Sequence, residues 1–217
     1  MKLISSAIAV LIGVASATTG VDFSTPLTIK EFDCFKSKGL GFVIARAWLS
    51  GGAFDHNSIG NINNAHAAGI PEVDVYMFPC RGKSAATQVA SLVSDLGNHS
   101  YGKIWLDIET NPSSGCSWES FSHASNCDYL TELVSAVRGH SKSVGIYASM
   151  YMWQTIFGST TACEKHTDVP LWYAHYDGVA SFADWETHKF GGWSKPSVKQ
   201  YKGTTSYCGA GVDFSWY

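Results

Sequence analysis

Two acids separated by one residue close an apolar run, Ile104-Trp105-Leu106-Asp107-Ile108-Glu109. Alternate side chains of a β-strand share a face, so Trp105, Asp107 and Glu109 point the same way. Carboxylates at the end of a buried strand are costly unless something uses them. Two further acids stand in a repeated phrase: Gly20-Val21-Asp22-Phe23-Ser24 returns as Gly211-Val212-Asp213-Phe214-Ser215. Carboxyls gathered in one place repel one another, and at least one is pushed to keep its proton. A neutral acid beside an ionised one is what cleavage of a glycosidic bond requires. A divalent cation is the rival use of the same oxygens. No Cys or His pair stands at metal-ligand spacing, so neither a metal nor a cofactor is expected.

Whether these acids meet depends on the elements that carry them. Short apolar strands alternate with helices along most of the chain, the pattern of parallel α/β structure. The expected strands are 19–24, 41–48, 72–78, 103–109, 143–148, 170–176, 197–201 and 211–215. Helices are expected at 27–38, 58–68, 84–96, 128–141 and 150–157, with none after the last three strands. Ser84 to Leu96 is the clearest, with Ala86, Val89, Leu92, Val93 and Leu96 at helical spacing. Eight strands suit a closed barrel, and the repeated phrase makes sense if the first and last strands are neighbours in the ring. The chain is shorter than the ~250 residues of a full (β/α)8 barrel. The expectation is therefore a single TIM-like barrel of type (β/α)5(β)3, with Asp22, Asp107, Glu109 and Asp213 at the strand ends where barrel active sites lie. No Gly-rich phosphate loop follows the first strand.

Aromatic residues favour sugar as the substrate, since flat rings suit the apolar faces of pyranoses. Tyr76, Phe78, Tyr147, Trp172, Tyr176 and Tyr201 fall near strand ends and are the candidate contacts; Trp48 and Tyr173 are similarly placed. Arg46 interrupts an otherwise buried strand and is expected to pair with one of the four acids, holding it ionised.

The 217 residues are 45% hydrophobic and 15% charged, an ordinary globular composition. Lys2, the apolar run Leu3 to Val14 and Ala15-Ser16-Ala17 read as a secretory leader over 1–17, leaving a glycosidase domain at 18–217. The run is too short to span a membrane, and no second one of ~20 residues follows. Six cysteines fit an oxidising compartment and allow 15 connectivities. Cys116–Cys127 is the favoured pair, because the two are close in sequence and would staple the loop after the acids. Asn98-His99-Ser100 is the usable glycosylation sequon; Asn111-Pro112-Ser113 is blocked by its proline. The formal charge of −3 argues against nucleic acid as a partner. Protonating all eight histidines would add eight charges, so a secreted or vacuolar protein working at acidic pH is expected.

The ordered phrases resemble glycoside hydrolase family 25, the CH-type lysozymes, and among them the branch of bacteria-eating invertebrates and protists. The resemblance rests on Gly20 to Ser24, Phe42 to Ala47, Ala67-Ala68-Gly69, Trp105 to Glu109, Leu171 to Tyr176, Gln200-Tyr201 and Gly211 to Phe214, with Val75 to Cys80 and the leader pointing to that branch. It implies a monomeric β-1,4-N-acetylmuramidase acting on peptidoglycan, without cofactor. Glu109 would be the general acid. Asp107 would stay charged and position the muramic N-acetyl group or the oxocarbenium-like transition state, and Asp22 and Asp213 would complete the acidic floor. Retention through the N-acetyl group and inversion by water both remain open. Met77 stands where many members have His, and Lys199 where many have Trp; both departures are expected to touch the substrate rim. A catalytically silent sugar-binding barrel and a metal-dependent phosphodiesterase are the competing readings.

Overall fold

The computed structural model describes residues 17–217. The leader read at 1–17 therefore lies, apart from Ala17, outside the described residues. The chain runs β1 (Thr19–Phe23), α1 (Ile29–Ser37), β2 (Phe42–Leu49), β3 (Ala53–Phe54), α2 (Asn57–Ala67), β4 (Glu72–Met77), α3 (Ala85–Leu96), β5 (Lys103–Asp107), α4 (His123–Gly139), β6 (Ser143–Ala148), α5 (Met150–Phe157), β7 (Leu171–Ala174), β8 (Val198–Tyr207) and β9 (Ala210–Trp216). Strand neighbours follow the order β1-β9-β8-β7-β6-β5-β4-β2, and β1 pairs with β2 to close the ring. The described residues thus form a closed eight-stranded barrel with five α-helices, as the alternating pattern predicts. The two-residue β3 hangs on β2 as an antiparallel appendage.

The closure differs from the parallel ring expected at the sequence level. β8 and β9 form an antiparallel hairpin, and β9 also runs antiparallel to β1. Asp213 therefore lies within its strand instead of at a C-terminal end. It still reaches the height of Asp22, because the register sets Asp22 directly opposite Asp213.

Two cores hold the ring. The outer one packs the helices' apolar stripes, such as Val89, Leu92 and Leu96 of α3, against outward strand residues such as Val43, Val75, Leu106 and Ile146. The inner one fills the barrel with Phe42, Ile44, Trp105, Tyr147, Trp172, Ala174 and Val198. Trp105 fits because its neighbour across the ladder is Gly145; a Cβ there would lie 2.2 Å from the indole ring. Serine caps start three of the helices: Ser84, Ser122 and Ser149 accept from Thr87, Ser125 and Met152 N–H groups. The Ser122 cap starts α4 at His123, five residues before the apolar periodicity that suggests 128–141. Among the described residues no helix is long and apolar enough to cross a membrane.

The disulfides are Cys34–Cys208, Cys80–Cys116 and Cys127–Cys163, so the expected Cys116–Cys127 pair is wrong. The loop after β5 folds back over the end of β4, where Arg81 N donates to Cys116 O. This brings Cys116 to Cys80. Cys127 lies inside α4, which packs on α5, and so meets Cys163 beyond that helix. Adjacency around the ring decides the pairing, not adjacency along the chain.

Candidate active site

β5 delivers the Asp-x-Glu pair. Trp105 and Asp107 share the inward face, and Asp107 is the last residue of the strand. The ladder continues one step further as Ile108 N donates to Tyr147 O at 2.9 Å. Ile108 is fully buried on the outer side, which turns Glu109 back over the barrel mouth. Asp22, Tyr76, Asp107, Glu109, Tyr147, Trp172, Tyr176, Gln200 and Asp213 line one cavity of about 110 Å3. Two grooves adjoin it. One flanking groove, about 560 Å3, runs past Ser24, Thr25, Thr204, Thr205 and Ser206; the other, about 380 Å3, passes Tyr176, Tyr201 and Thr204.

All four acids and four of the six aromatic candidates thus come together. Tyr201 lines the adjoining groove instead, half-buried near Phe214. Phe78 lies past the end of β4 and does not line the cavity. Arg46 pairs with none of the four acids. Its Nε donates to Asp55 Oδ2 at 2.8 Å and its Nη2 to Ser24 O at 2.9 Å, so it braces the segments after β1 and β3. The two departures from the family pattern also lie away from the rim. Met77 is fully buried in the outer core, and Lys199 points outward from β8.

Gln200 is the functional residue that the sequence reading passes over as a site residue. Its carbonyl oxygen accepts from the Tyr147 and Tyr176 hydroxyls at 2.6 and 2.8 Å. Its amide donates to Asp22 Oδ1 at 2.8 Å and Asp213 Oδ2 at 3.4 Å. One amide therefore sets the positions of two acids and two phenols. The signal available in sequence is its parity: inward Gln200 alternates with outward Lys199. Asp213 is also held by Thr204 N at 2.6 Å.

Every acid here is harder to ionise than usual. Burial is the main cause for Asp22, reinforced by Asp213 and Glu109 and partly offset by the Gln200 bond. Burial likewise lifts Asp107 well above the usual range, with Glu109 and Asp22 adding to it. Glu109 rises through burial, although its hydrogen bond with Asp107 works the other way. Asp213 rises through burial against the Thr204 bond. Asp107 and Glu109 share a hydrogen bond, and two carboxyls can do so only if one holds a proton. Asp107 Oδ1 is buried without a protein donor. Burial also pushes the Tyr176 hydroxyl up to about 12, so it stays a neutral donor.

A family profile described as "Lysozyme-like protein 1" matches residues 13–201. A Dictyostelium discoideum protein named "Probable GH family 25 lysozyme 2" is 43% identical over 210 residues, covering 95% of this chain and 94% of the relative. The chain belongs to glycoside hydrolase family 25. It is a glycoside hydrolase of the lysozyme type, as its order of motifs implies. The barrel agrees with solved members of this family. The Streptomyces coelicolor lysozyme superposes with a TM-score of 0.76 at 23% identity, over 93% of this chain and 92% of that one. The modular autolysin LytC of Streptococcus pneumoniae, solved with a synthetic peptidoglycan ligand, gives 0.69 at 19% identity, over 95% of this chain and 48% of that one.

Proposed function

We propose that this family 25 enzyme hydrolyses the β-1,4 bond between N-acetylmuramic acid and N-acetylglucosamine in bacterial peptidoglycan. The observation that carries the reading is the gathering of Asp22, Asp107, Glu109 and Asp213 in one cavity lined by Tyr76, Tyr147, Trp172 and Tyr176, with two polar grooves adjoining it. At rest the proton of the pair lies on Asp107, against the expectation that this residue stays charged, because its bond to Glu109 raises Asp107 and lowers Glu109. Glu109, the less buried of the two, takes that proton and passes it to the leaving oxygen, and Asp107, then ionised, stabilises the positive charge that develops at the anomeric carbon. Asp22 and Asp213 are fixed by Gln200, and burial makes both reluctant to ionise. Tyr147 and Tyr176 remain neutral donors beside them.

Raised carboxyl pKa values keep the acid form available at mildly acidic pH. Together with the eight histidines and the leader, they support work outside the cell or in an acidic digestive lumen. Activity should fall as pH rises through neutrality.

Clearing of a bacterial wall suspension tests the reading, with mass analysis of the released fragments. Wild type should clear the suspension and leave new reducing ends on N-acetylmuramic acid. Glu109→Gln should lose activity by about 10²–10⁴-fold, the worth of a positioned general acid. A wild type that clears nothing between pH 4 and 8 would favour a silent sugar-binding barrel. Reducing ends on N-acetylglucosamine would assign the wrong bond.

A further inference from the structure

The hairpin that closes the ring breaks its register opposite Asp213. β8 faces β9 in step at Lys199–Trp216 and Gln200–Ser215, then at Lys202–Phe214, and next at Thr205–Val212. Each break leaves an extra residue on β8, so the ladder carries two β-bulges. The second spans Gly203 and Thr204, across from Asp213. Bulges bend a strand and re-aim its groups, and they are over-represented beside active sites.

Thr204 takes a backbone φ of 52° in this bulge. Left-handed backbone crowds the Cβ, and a β-branched residue is a genuine outlier there. Among the described residues four other than glycine have positive φ, and of these Thr204 alone has a branched Cβ and alone lines the grooves beside the acids. Strained backbone of this kind persists only where the surroundings enforce it, and it gathers at functional sites. The Thr204 N–H donates to Asp213 Oδ1 at 2.6 Å. Gly203 lets the backbone pass close to the site: a Cβ there would lie 3.2 Å from the Tyr176 ring and 3.6 Å from Asp213 Oδ1. The Cys34–Cys208 bridge ties the tip of the hairpin to α1.

Asp213 is thereby held at both oxygens. Oδ1 takes the Thr204 N–H, and Oδ2 takes the longer bond from Gln200 at 3.4 Å. The titratable groups facing it are Asp22 on β1, Glu109 beyond β5, Tyr76 on β4 and Tyr176 beyond β7. The Thr204 side chain lies where the two grooves meet, since it lines both. Glycine would adopt this backbone at no steric cost. Threonine adds a hydroxyl and a methyl at that junction.

We propose that Thr204 is a positioning residue for the reaction: the bulge turns its N–H onto Asp213 and fixes that carboxyl over the cavity, while its side chain meets the glycan where the two grooves join. The inference rests on the activity proposed above.

Steady-state cleavage of soluble peptidoglycan glycan chains tests it, together with thermal melts. An ester in place of the 203–204 amide removes the N–H and keeps the side chain. It should lower kcat by about 10–100-fold, the worth of one hydrogen bond to a charged group, and leave KM unchanged. The lost bond is the one that opposes the effect of burial on Asp213, so the acidic limb of the pH profile should move to higher pH. Thr204→Gly keeps the N–H and relieves the backbone. It should melt above wild type, keep kcat and raise KM several-fold. Thr204→Asn, which tolerates left-handed backbone, should keep kcat as well. An ester variant with wild-type kcat and pH profile would overturn the inference. So would a loss of kcat of about tenfold or more in Thr204→Gly, a variant that remains informative if the ester protein does not fold. Wild type inactive on the same chains would overturn the proposed activity and this inference together; active wild type with either of the other results overturns the inference alone.

Discussion

Asp22→Asn should make the protein more stable and less active, and the gain should depend on pH. Asp22 is buried at 8% exposure, opposite Asp213 and close to Glu109. Its carboxyl holds a proton in the folded state to a higher pH than in the unfolded chain, where it titrates near ~3.9. The folded state thus binds more protons than the unfolded state above that value, and stability falls as pH rises through the window. The penalty is absent well below the unfolded pKa and complete above the raised one. Each unit of upward shift is worth ~1.4 kcal/mol. Against this gain stands the Gln200 bond at 2.8 Å. It is charge-assisted in wild type, and its neutral replacement is weaker by about 1 kcal/mol. Removing a buried like charge at an active site commonly yields about 0.5–2 kcal/mol after such losses. For a chain of this size that is a rise in melting temperature of about 1–8 °C. Melts of wild type and variant at pH 4 and pH 7 measure it. The difference should be larger at pH 7. Equal differences at the two pH values, or a variant less stable than wild type at pH 7, would refute the electrostatic account of the site.

Two other perturbations probe the scaffold. Gly145→Ala drives a methyl into the Trp105 ring; overpacking of this kind costs about 1–3 kcal/mol in urea unfolding, and activity should drop because Trp105 packs against Trp172, which lines the acid cavity. Lys199→Met strands Asp177 and Asp184, whose carboxyls are held below their usual values. Their contribution is present above the unfolded carboxylate pKa and is lost as pH falls, so a destabilisation of about 3 kcal/mol at pH 7 should shrink towards pH 3.

The barrel is legible in the sequence because its strands are short apolar runs buried on both faces and its helices carry apolar stripes. The acid site is legible because the repeated Gly-Val-Asp-Phe-Ser phrase marks the two strands that close the ring. Strand direction is not legible. β9 reads the same whether parallel or antiparallel, since period-two alternation is blind to polarity. Arg46 misleads for a related reason. Its inward parity was visible, but Asp55 lies in a polar loop and carries no periodic signal. The cysteine pairing escapes for want of any local pattern, because it is set by which elements are neighbours around the ring. Lys199 shows the limit most clearly. Replacing an expected Trp, it reads as a change at the rim, yet its partners Asp177 and Asp184 lie in a segment without regular structure.

The bridge from Cys34 to Cys208 joins α1 to the turn of the β8–β9 hairpin, and the other two bridges fall inside the span it closes. Six of the eight barrel strands therefore lie in one covalent loop holding two smaller ones, with none of them interlaced. A protease that cuts any single peptide bond between these two cysteines leaves the fragments still joined. A nicked molecule stays one particle, and its severed ends remain near enough to re-form the strand pairing around the acids.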